Sequence, residues 1–245
     1  MQENCGFLAR FTPMTAELWV VDLGRRAYGE ALELQRSVAR ARIAGDIEQD
    51  VLLLVEHPPV ITLGRSSKDA HLLANSAQLA ARGVELFEVE RGGDVTFHGP
   101  GQLVGYPIVD LKRHKQDLHW YLRQVEEVLI RALGTFGIEG GRVAKYTGVW
   151  TRDRKIASIG VHARDWVTWH GFALNVSTEL SYFELIVPCG IPEVTMTSLQ
   201  RELGREVSLG EVGEVVARAT ADVFDLQPRS TQLASLESRF HAVVS

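Results

Sequence analysis

Hydrophobic and polar residues recur along the chain with two different periods, which together predict a mixture of helices and strands. Apolar residues three and four positions apart follow Asp117, which is placed to cap a helix that ends near Gly137. A weaker helical period predicts a surface helix over residues 26–43, stopped by Gly45. A capping-box pattern begins at Ser208 and predicts the start of the last helix.

Short β-prone runs bounded by turn residues predict six strands. They cover residues 51–55, 60–63, 84–89, 103–109, 156–163 and 167–176. The last two are expected to form a hairpin that turns near Asp165 and Trp166. Because strands and helices mix without a regular βαβ alternation, the predicted fold class is α+β, with a mixed or antiparallel sheet flanked by helices.

Length and composition favour one globular domain over residues 1–245, since 45% of the residues are hydrophobic and 23% are charged. The two ends, 1–18 and 234–245, are predicted to be peripheral or mobile. A net charge of -5 argues against nucleic acid binding as the main role. Without a leader-like start or a long apolar run, we expect a soluble, cytoplasmic protein that does not contact a membrane.

The cysteine content of the chain is limited to Cys5 and Cys189, and a reducing compartment would leave both as thiols. Cys189 lies between Pro188 and Gly190, so its thiol is displayed on a shaped turn and is a candidate nucleophile. The alternative is that Cys189 is a small buried hydrophobic residue. Cys5 lies in a terminal segment, where a functional role is not expected.

A catalytic cysteine needs help to ionise, because a free thiol is only a few per cent thiolate at about pH 7. A cationic neighbour or a helix N-terminus supplies that help. Lys155, at the start of an apolar strand, is the candidate neighbour. The alternative is that Lys155 is a solvated charge beside Arg152 and Arg154.

The run from Arg91 to Gly101 is the most distinctive segment of the chain. Its clustered glycines would let backbone amides approach a ligand, while Thr96 and His98 add polar contacts. The alternative is a tight hairpin with two turns. The glycine spacing that begins at Gly99 departs from a dinucleotide-binding fingerprint, and the sequence has no P-loop. The histidines do not have the spacing of metal ligands, so metal catalysis is not expected.

Four segments occur in a recognisable order: RGGDVTFHGPGQL from Arg91, KIASIGVH from Lys155, HGFALNV from His170 and VPCGI from Val187. Together they resemble the lipoate-protein ligase B family, octanoyl-[acyl carrier protein]:protein N-octanoyltransferases. The resemblance extends from about Trp19, through a VEHPPVITLGR segment, to the last predicted helix. It implies a biotin/lipoate protein ligase-like catalytic domain.

The resemblance also implies a two-step acyl transfer without a nucleotide or other cofactor. Cys189 would attack the octanoyl thioester on the phosphopantetheine of acyl carrier protein, and a lysine of a lipoyl domain would then attack acyl-Cys189. Lys155 matches the family lysine that favours the thiolate and relays protons. The implied acceptors are the lipoyl domains of 2-oxoacid dehydrogenase complexes and the glycine cleavage H protein.

The resemblance places the acyl substrate against three segments. The predicted substrate-binding residues are Arg91, Gly92, Gly93, Asp94, Val95, Thr96, Phe97, His98, Ser158, Ile159, Gly160, Gly171, Phe172 and Ala173. Asp94 and Phe97 occupy positions at which the family varies. Because both protein partners are expected to be acidic, we also predict a local basic docking surface at Lys112, Arg113, His114 and Lys115.

Three other functions fit parts of the sequence. An ATP-dependent lipoate or biotin ligase of the same fold would activate a free acid as an adenylate and would not need Cys189. A thiol hydrolase would pair Cys189 with a histidine such as His98, His162 or His170. A non-catalytic acyl-binding or scaffold protein would not use Cys189 as a nucleophile at all.

Overall fold

The chain folds around two β-sheets, and a computed structural model describes residues 16–191 and 193–241. The strands are β1 Glu17–Arg25, β2 Asp50–Glu56, β3 Val60–Leu63, β4 Glu85–Glu88, β5 Val95–His98, β6 Gln102–Ile108, β7 Val149–Thr151, β8 Arg154–Arg164, β9 Val167–Asn175 and β10 Gln227–Ser230. The helices are α1 Tyr28–Ala44, α2 Ser76–Ala81, α3 Leu118–Thr135, α4 Leu199–Leu203, α5 Leu209–Phe224 and α6 Leu233–His241. Cys5 lies outside the described residues.

The large sheet has seven strands in the order β10-β1-β2-β6-β9-β8-β7. Strand β1 pairs in parallel with both β10 and β2, and the remaining pairs are antiparallel. The small sheet has the order β4-β3-β5 and also mixes parallel and antiparallel pairs. The predicted α+β class with a mixed sheet is therefore confirmed.

Helices cover both faces of the large sheet. Successive strand residues point to opposite sides, and both sides carry apolar side chains that pack against helices. Leu103 packs into a core cluster with residues of α3 and α5, whereas the next residue, Val104, packs into a cluster with residues of α1. The small sheet has its own cluster, which includes Ile61 and Phe97. Strand β5 packs against the turn that carries Cys189.

The strongest local patterns are confirmed. Asp117 caps α3 by accepting hydrogen bonds from the amides of His119 and Trp120, and α1 ends at Gly45 with a φ of 89°. Strands β8 and β9 form the predicted hairpin, in which Asp165 and Trp166 have φ values of 51° and 68°. Two positive φ values are typical of a two-residue type I′ turn.

The end of the chain differs from the prediction. The helix after Ser208 is α5, and it is not the last one, because β10 and α6 follow it. Strand β10 is exposed at all four positions and is held by backbone pairing with β1, so no hydrophobic pattern marks it. Residues 234–241, expected to be peripheral, form most of α6, in which Leu236 is fully buried. In the described part of the chain, no helix is long and apolar enough to cross a membrane.

Candidate active site

Cys189 lies in a 3-10 turn at Pro188–Gly190 with a left-handed backbone, at φ 55° and ψ 21°. Few residues other than glycine adopt this conformation, and it stores strain that the surroundings must hold. Hydrogen bonds from the amide of Gly190 to the carbonyl of Val187, and from Ile191 to Pro188, hold the turn. The thiol is free and half-buried, so it faces a cavity instead of packing in a core.

Lys155 is fully buried, and its Nζ lies 2.9 Å from Cys189 Sγ. The backbone of Lys155 pairs with the segment after the turn, donating to the carbonyl of Thr195 and accepting from the amide of Thr197. The Nζ atom also lies 5.0 Å from the centre of the Trp150 ring. A buried polar side chain needs a polar partner, and Cys189 Sγ supplies one to the Lys155 Nζ atom.

One further strand residue contacts the sulfur. Ser158 Oγ lies 3.8 Å from Cys189 Sγ, and both Ser158 and Lys155 belong to β8. Among the described residues, the hydrogen-bond contacts of Sγ are with these two side chains, and no histidine is one of them. The geometry therefore differs from the cysteine–histidine pair that a thiol hydrolase would use.

A cavity of about 190 Å³ opens beside Cys189, between β5, strands β6, β8 and β9, and the start of α1. Most of the predicted substrate-binding residues line it. These are Arg91, Gly93, Asp94, Thr96, His98, Ser158, Ile159, Gly160, Gly171, Phe172 and Ala173. Three separate segments of the sequence thus meet in one cavity.

Three of the predicted substrate-binding residues do not line the cavity. Side chains alternate along β5, so Thr96 and His98 face the cavity while Val95 and Phe97 pack into the hydrophobic cluster of the small sheet. The amide of Gly92 donates to the carbonyl of Val161 on β8. These three residues hold the segment in place and do not bound the space for a ligand.

Eight lining residues were absent from the predicted site. They are Tyr28, Val104, Tyr106, Lys145, Tyr146, Thr147, His170 and Ile191. His170 is the first residue of the HGFALNV motif, and that position could have indicated that it lines the cavity. Tyr28 is the first residue of α1 and carries no motif signal, because only packing of the helix on the sheet brings it to the cavity.

Arg91 is a buried cation at the cavity wall. Its Nη2 donates to the carbonyl and hydroxyl oxygens of Thr62 at 2.7 and 2.8 Å, and its Nη1 donates to the carbonyl of Gly92 at 3.2 Å. Burial lowers the pKa of Arg91. Gly64 is required here, since a Cβ at that position would lie 2.4 Å from the carbonyl oxygen of Gly93.

Burial disfavours the charged form of three histidines at or beside the cavity. Burial lowers the pKa of His98 to about 3 and that of His57 to about 4. Burial also lowers the pKa of His170, which has a φ of 56° within β9. The amide of His170 donates to Gln35 Oε1 at 3.0 Å, so α1 holds this strained residue.

His71 and Asp94 form a pair beside the cysteine turn that the sequence did not indicate. His71 Nδ1 lies 2.5 Å from Asp94 Oδ2, and the amide of Val95 donates to the other carboxylate oxygen at 2.7 Å. Gly190 has a φ of 64°, and a Cβ there would lie 2.4 Å from Asp94 Oδ2, so a side chain at this position would strain the backbone and displace the Asp94 carboxylate. Within residues 16–191 and 193–241, no group of three or more His, Cys, Asp or Glu side chains is arranged to hold a metal ion.

The fold is that of a lipoate protein ligase catalytic domain. A crystal structure of lipoate-protein ligase A bound with ATP superposes with a TM-score of 0.70 at 15% identity, covering 94% of each chain. A bipartite lipoate protein ligase from Thermoplasma acidophilum, solved in a study of an archaeal lipoylation system, also has a TM-score of 0.70 at 15% identity and covers 93% of this chain and 92% of that one. At this identity the likeness shows the fold alone.

Sequence comparison gives the family. The profile of the lipoyl protein ligase A/B catalytic domain matches residues 27–221, and the chain belongs to this family. An octanoyltransferase of Solibacter usitatus is 54% identical over 205 residues, which cover 84% of this chain and 92% of the relative. An octanoyltransferase of Myxococcus xanthus is 50% identical over 212 residues, covering 84% of this chain and 59% of that longer relative. The protein is therefore an acyltransferase.

Proposed function

We propose that the protein transfers an octanoyl group from acyl carrier protein to a lysine of lipoyl domains, through a thioester on Cys189. The observation that carries this proposal is the 2.9 Å contact between the buried Lys155 Nζ and the Cys189 sulfur. A nucleophilic thiol with a fixed cationic partner suits covalent acyl transfer. The names of the relatives that are 50% identical or more support octanoyl as the acyl group.

In the first step, the Cys189 thiolate attacks the carbonyl carbon of the octanoyl thioester on phosphopantetheine. A new carbon–sulfur bond forms to Cys189, and the bond to the pantetheine sulfur breaks. The leaving thiolate takes a proton from the Lys155 ammonium, which becomes a neutral amine. Lys155 is close enough for this role because its Nζ touches the sulfur that reacts.

In the second step, the neutral amine of the acceptor lysine attacks acyl-Cys189. The carbon–nitrogen bond forms, the carbon–sulfur bond to Cys189 breaks, and the neutral Lys155 takes up the proton that the attacking nitrogen loses. The ammonium and thiolate pair is thereby restored. The first step exchanges one thioester for another and the second converts a thioester into an amide, so the sequence runs downhill without ATP or another cofactor.

Lipoyl domains of 2-oxoacid dehydrogenase complexes and the glycine cleavage H protein are the proposed acceptors. The structural neighbour from Thermoplasma acidophilum was studied with an E2 lipoyl domain, which supports acceptors of this kind. The half-exposed Tyr146 beside the cavity indicates that its mouth is open to a partner protein.

The test is the intact mass of the protein after incubation with octanoyl-acyl carrier protein. We expect one added octanoyl group, absent in Cys189→Ser and discharged by an apo lipoyl domain. The matched control is Cys5→Ser, which changes the other cysteine and should leave the adduct unchanged. If no adduct forms and transfer requires ATP with free octanoate, the protein is a ligase and the proposal is wrong.

A further inference from the structure

Glu126 is a fully buried residue of α3 whose carboxylate has no part in the two steps above. Its Oε2 atom accepts hydrogen bonds from Nη1 of Arg123 at 2.6 Å and from Nε of Arg142 at 2.9 Å. Its Oε1 atom accepts a hydrogen bond from the backbone amide of Gly148 at 3.3 Å. The arginines pair with the buried carboxylate, and its other oxygen holds a backbone segment.

These hydrogen bonds hold both ends of one loop, which runs from Arg142 to Gly148. Two backbone hydrogen bonds between Gly141 and Trp150, at 2.8 and 2.9 Å, close the loop at its base. Because the carboxylate of Glu126 binds the first and the last residue of the loop, it limits the conformations that the loop can adopt.

The last residue of the loop packs against the side chain of Lys155. A Cβ at Gly148 would lie 2.9 Å from Lys155 Cε and 2.7 Å from the carbonyl oxygen of Ala157. Gly148 also has a φ of 139°, a backbone conformation that favours glycine. A side chain at Gly148 would therefore occupy space that the Lys155 side chain fills.

Trp150, at the base of the loop, also contacts Lys155. The two residues pair in the register of β7 and β8, and the centre of the Trp150 ring lies 5.0 Å from Lys155 Nζ. This distance is within the range at which an aromatic ring attracts a lysine head group. The Nζ atom held in this way lies 2.9 Å from Cys189 Sγ.

We propose that Glu126 is a positioning residue for Lys155, on which it acts through Gly148. This inference rests on the proposed function, in which Lys155 exchanges protons with the groups that react at Cys189. Glu126 is not among the described residues that line the cavity, so its effect on the reaction passes through the loop. A displacement of about 1 Å in a reacting group can lower a rate roughly 100-fold.

The test measures two rates: octanoyl transfer to an apo lipoyl domain, and alkylation of Cys189 by iodoacetamide at pH 7. All variants carry Cys5→Ser, so that the other cysteine of the sequence does not react. We expect Gly148→Ala to lower both rates at least about tenfold, because the added methyl group displaces Lys155. Glu126→Ala should lower both rates in the same direction. Glu126→Gln should lower them less, since its amide oxygen can still accept from Gly148.

Two matched controls separate this positioning from general damage to the fold. Gly137→Ala also adds a methyl group at a positive φ, 75°, but no atom lies within 4 Å of that position. Glu127→Gln removes the neighbouring carboxylate, which contacts the side chains of Arg131 and Arg142 instead of the Gly148 amide. Both controls should leave the two rates unchanged.

A double-variant cycle tests whether the effect passes through Lys155. In a Lys155→Met background, Gly148→Ala should cause little further loss, whereas independent effects would multiply. Multiplied losses would overturn the proposal, as would unchanged rates in the Glu126 variants that fold. If the wild-type protein forms no octanoyl adduct, the proposed function is wrong, and the alkylation rates still decide whether Glu126 positions Lys155.

Discussion

Single residues that lie far apart in the chain meet at this site. Lys155 and Cys189 are 34 positions apart, and they meet because the backbone of Lys155 pairs with the segment that follows the cysteine turn. The left-handed conformation of Cys189 aims its thiol toward that lysine. Removing either partner therefore has a direct chemical consequence.

The first prediction concerns Lys155→Met, which removes the charge and keeps most of the side-chain length. We expect acyl transfer to fall at least about 100-fold, because loss of a positioned proton donor typically costs this much. Alkylation of Cys189 by iodoacetamide at pH 7 should also slow at least about tenfold, since the thiolate is no longer paired. Alkylation at an unchanged rate would show that Lys155 does not activate the sulfur.

The second prediction concerns the buried His57, whose pKa is about 4 instead of 6.5. As the pH falls from 6.5 toward 4, the unfolded chain takes up a proton that the native protein does not. This uptake lowers the free energy of unfolding by roughly 2 kcal/mol at pH 5, and it has no such effect above pH 6.5. Urea unfolding of the wild type and His57→Gln at pH 7 and pH 5 should show the smaller pH dependence in the variant. Parallel pH dependences would contradict the prediction.

At the scale of elements, the glycine-rich run has a more divided role than its composition indicates. Thr96 and Gly93 line the cavity, as expected for a ligand-binding segment. Other glycines serve packing: a Cβ at Gly99 would lie 2.4 Å from the Phe97 ring, and one at Gly101 would lie 2.7 Å from the backbone of Ser177. The run therefore supplies both lining of the cavity and tight turns.

The third prediction tests the cap of α3. Asp117→Ala removes hydrogen bonds to the amides of His119 and Trp120, which measure 2.9 and 3.0 Å. We expect the free energy of unfolding to fall by about 0.5–2 kcal/mol in urea titrations. Asp117→Ser, which can still cap the helix, should lose much less. Acyl transfer should be unchanged in both, because none of the described residues that line the cavity belongs to α3.

At the scale of the whole molecule, partner binding must work against a net charge of -5. The predicted basic surface follows β6, and three of its four side chains already lie beside carboxylates. Lys112 Nζ is 4.0 Å from Asp110, Lys115 Nζ is 3.2 Å from Asp117, and His114 Nε2 is 2.7 Å from Asp50. These contacts reduce the field that the segment presents to an acidic partner.

The fourth prediction tests this surface with the double variant Lys112→Glu and Lys115→Glu. If the segment docks an acidic carrier, kcat/KM for octanoyl-acyl carrier protein should fall by roughly tenfold at low salt, and the difference should shrink as salt rises. Arg218→Glu, an exposed charge reversal on α5, is the control and should have little effect. If kcat/KM depends equally on salt in the wild type, the double variant and Arg218→Glu, the segment is not the docking site.

The sequence by itself determined the elements whose signals are local. The helical period and Asp117 specify α3, the strand pattern specifies the β8–β9 hairpin, and the four motifs identify Cys189 and Lys155 as candidates through their resemblance to a family. These signals are readable because helix period, capping and turn chemistry depend on residues only a few positions apart.

Only the tertiary structure decided which distant residues meet. Tyr28 and Tyr106 line the same cavity because α1 packs against β6, and no local pattern of either residue encodes that contact. His71 reaches Asp94 only because the loop before α2 folds over the small sheet. Strand β10 exists through backbone pairing with β1, which depends on register and not on its exposed side chains. The shape and depth of the cavity depend on packing between elements, so the sequence alone does not determine them.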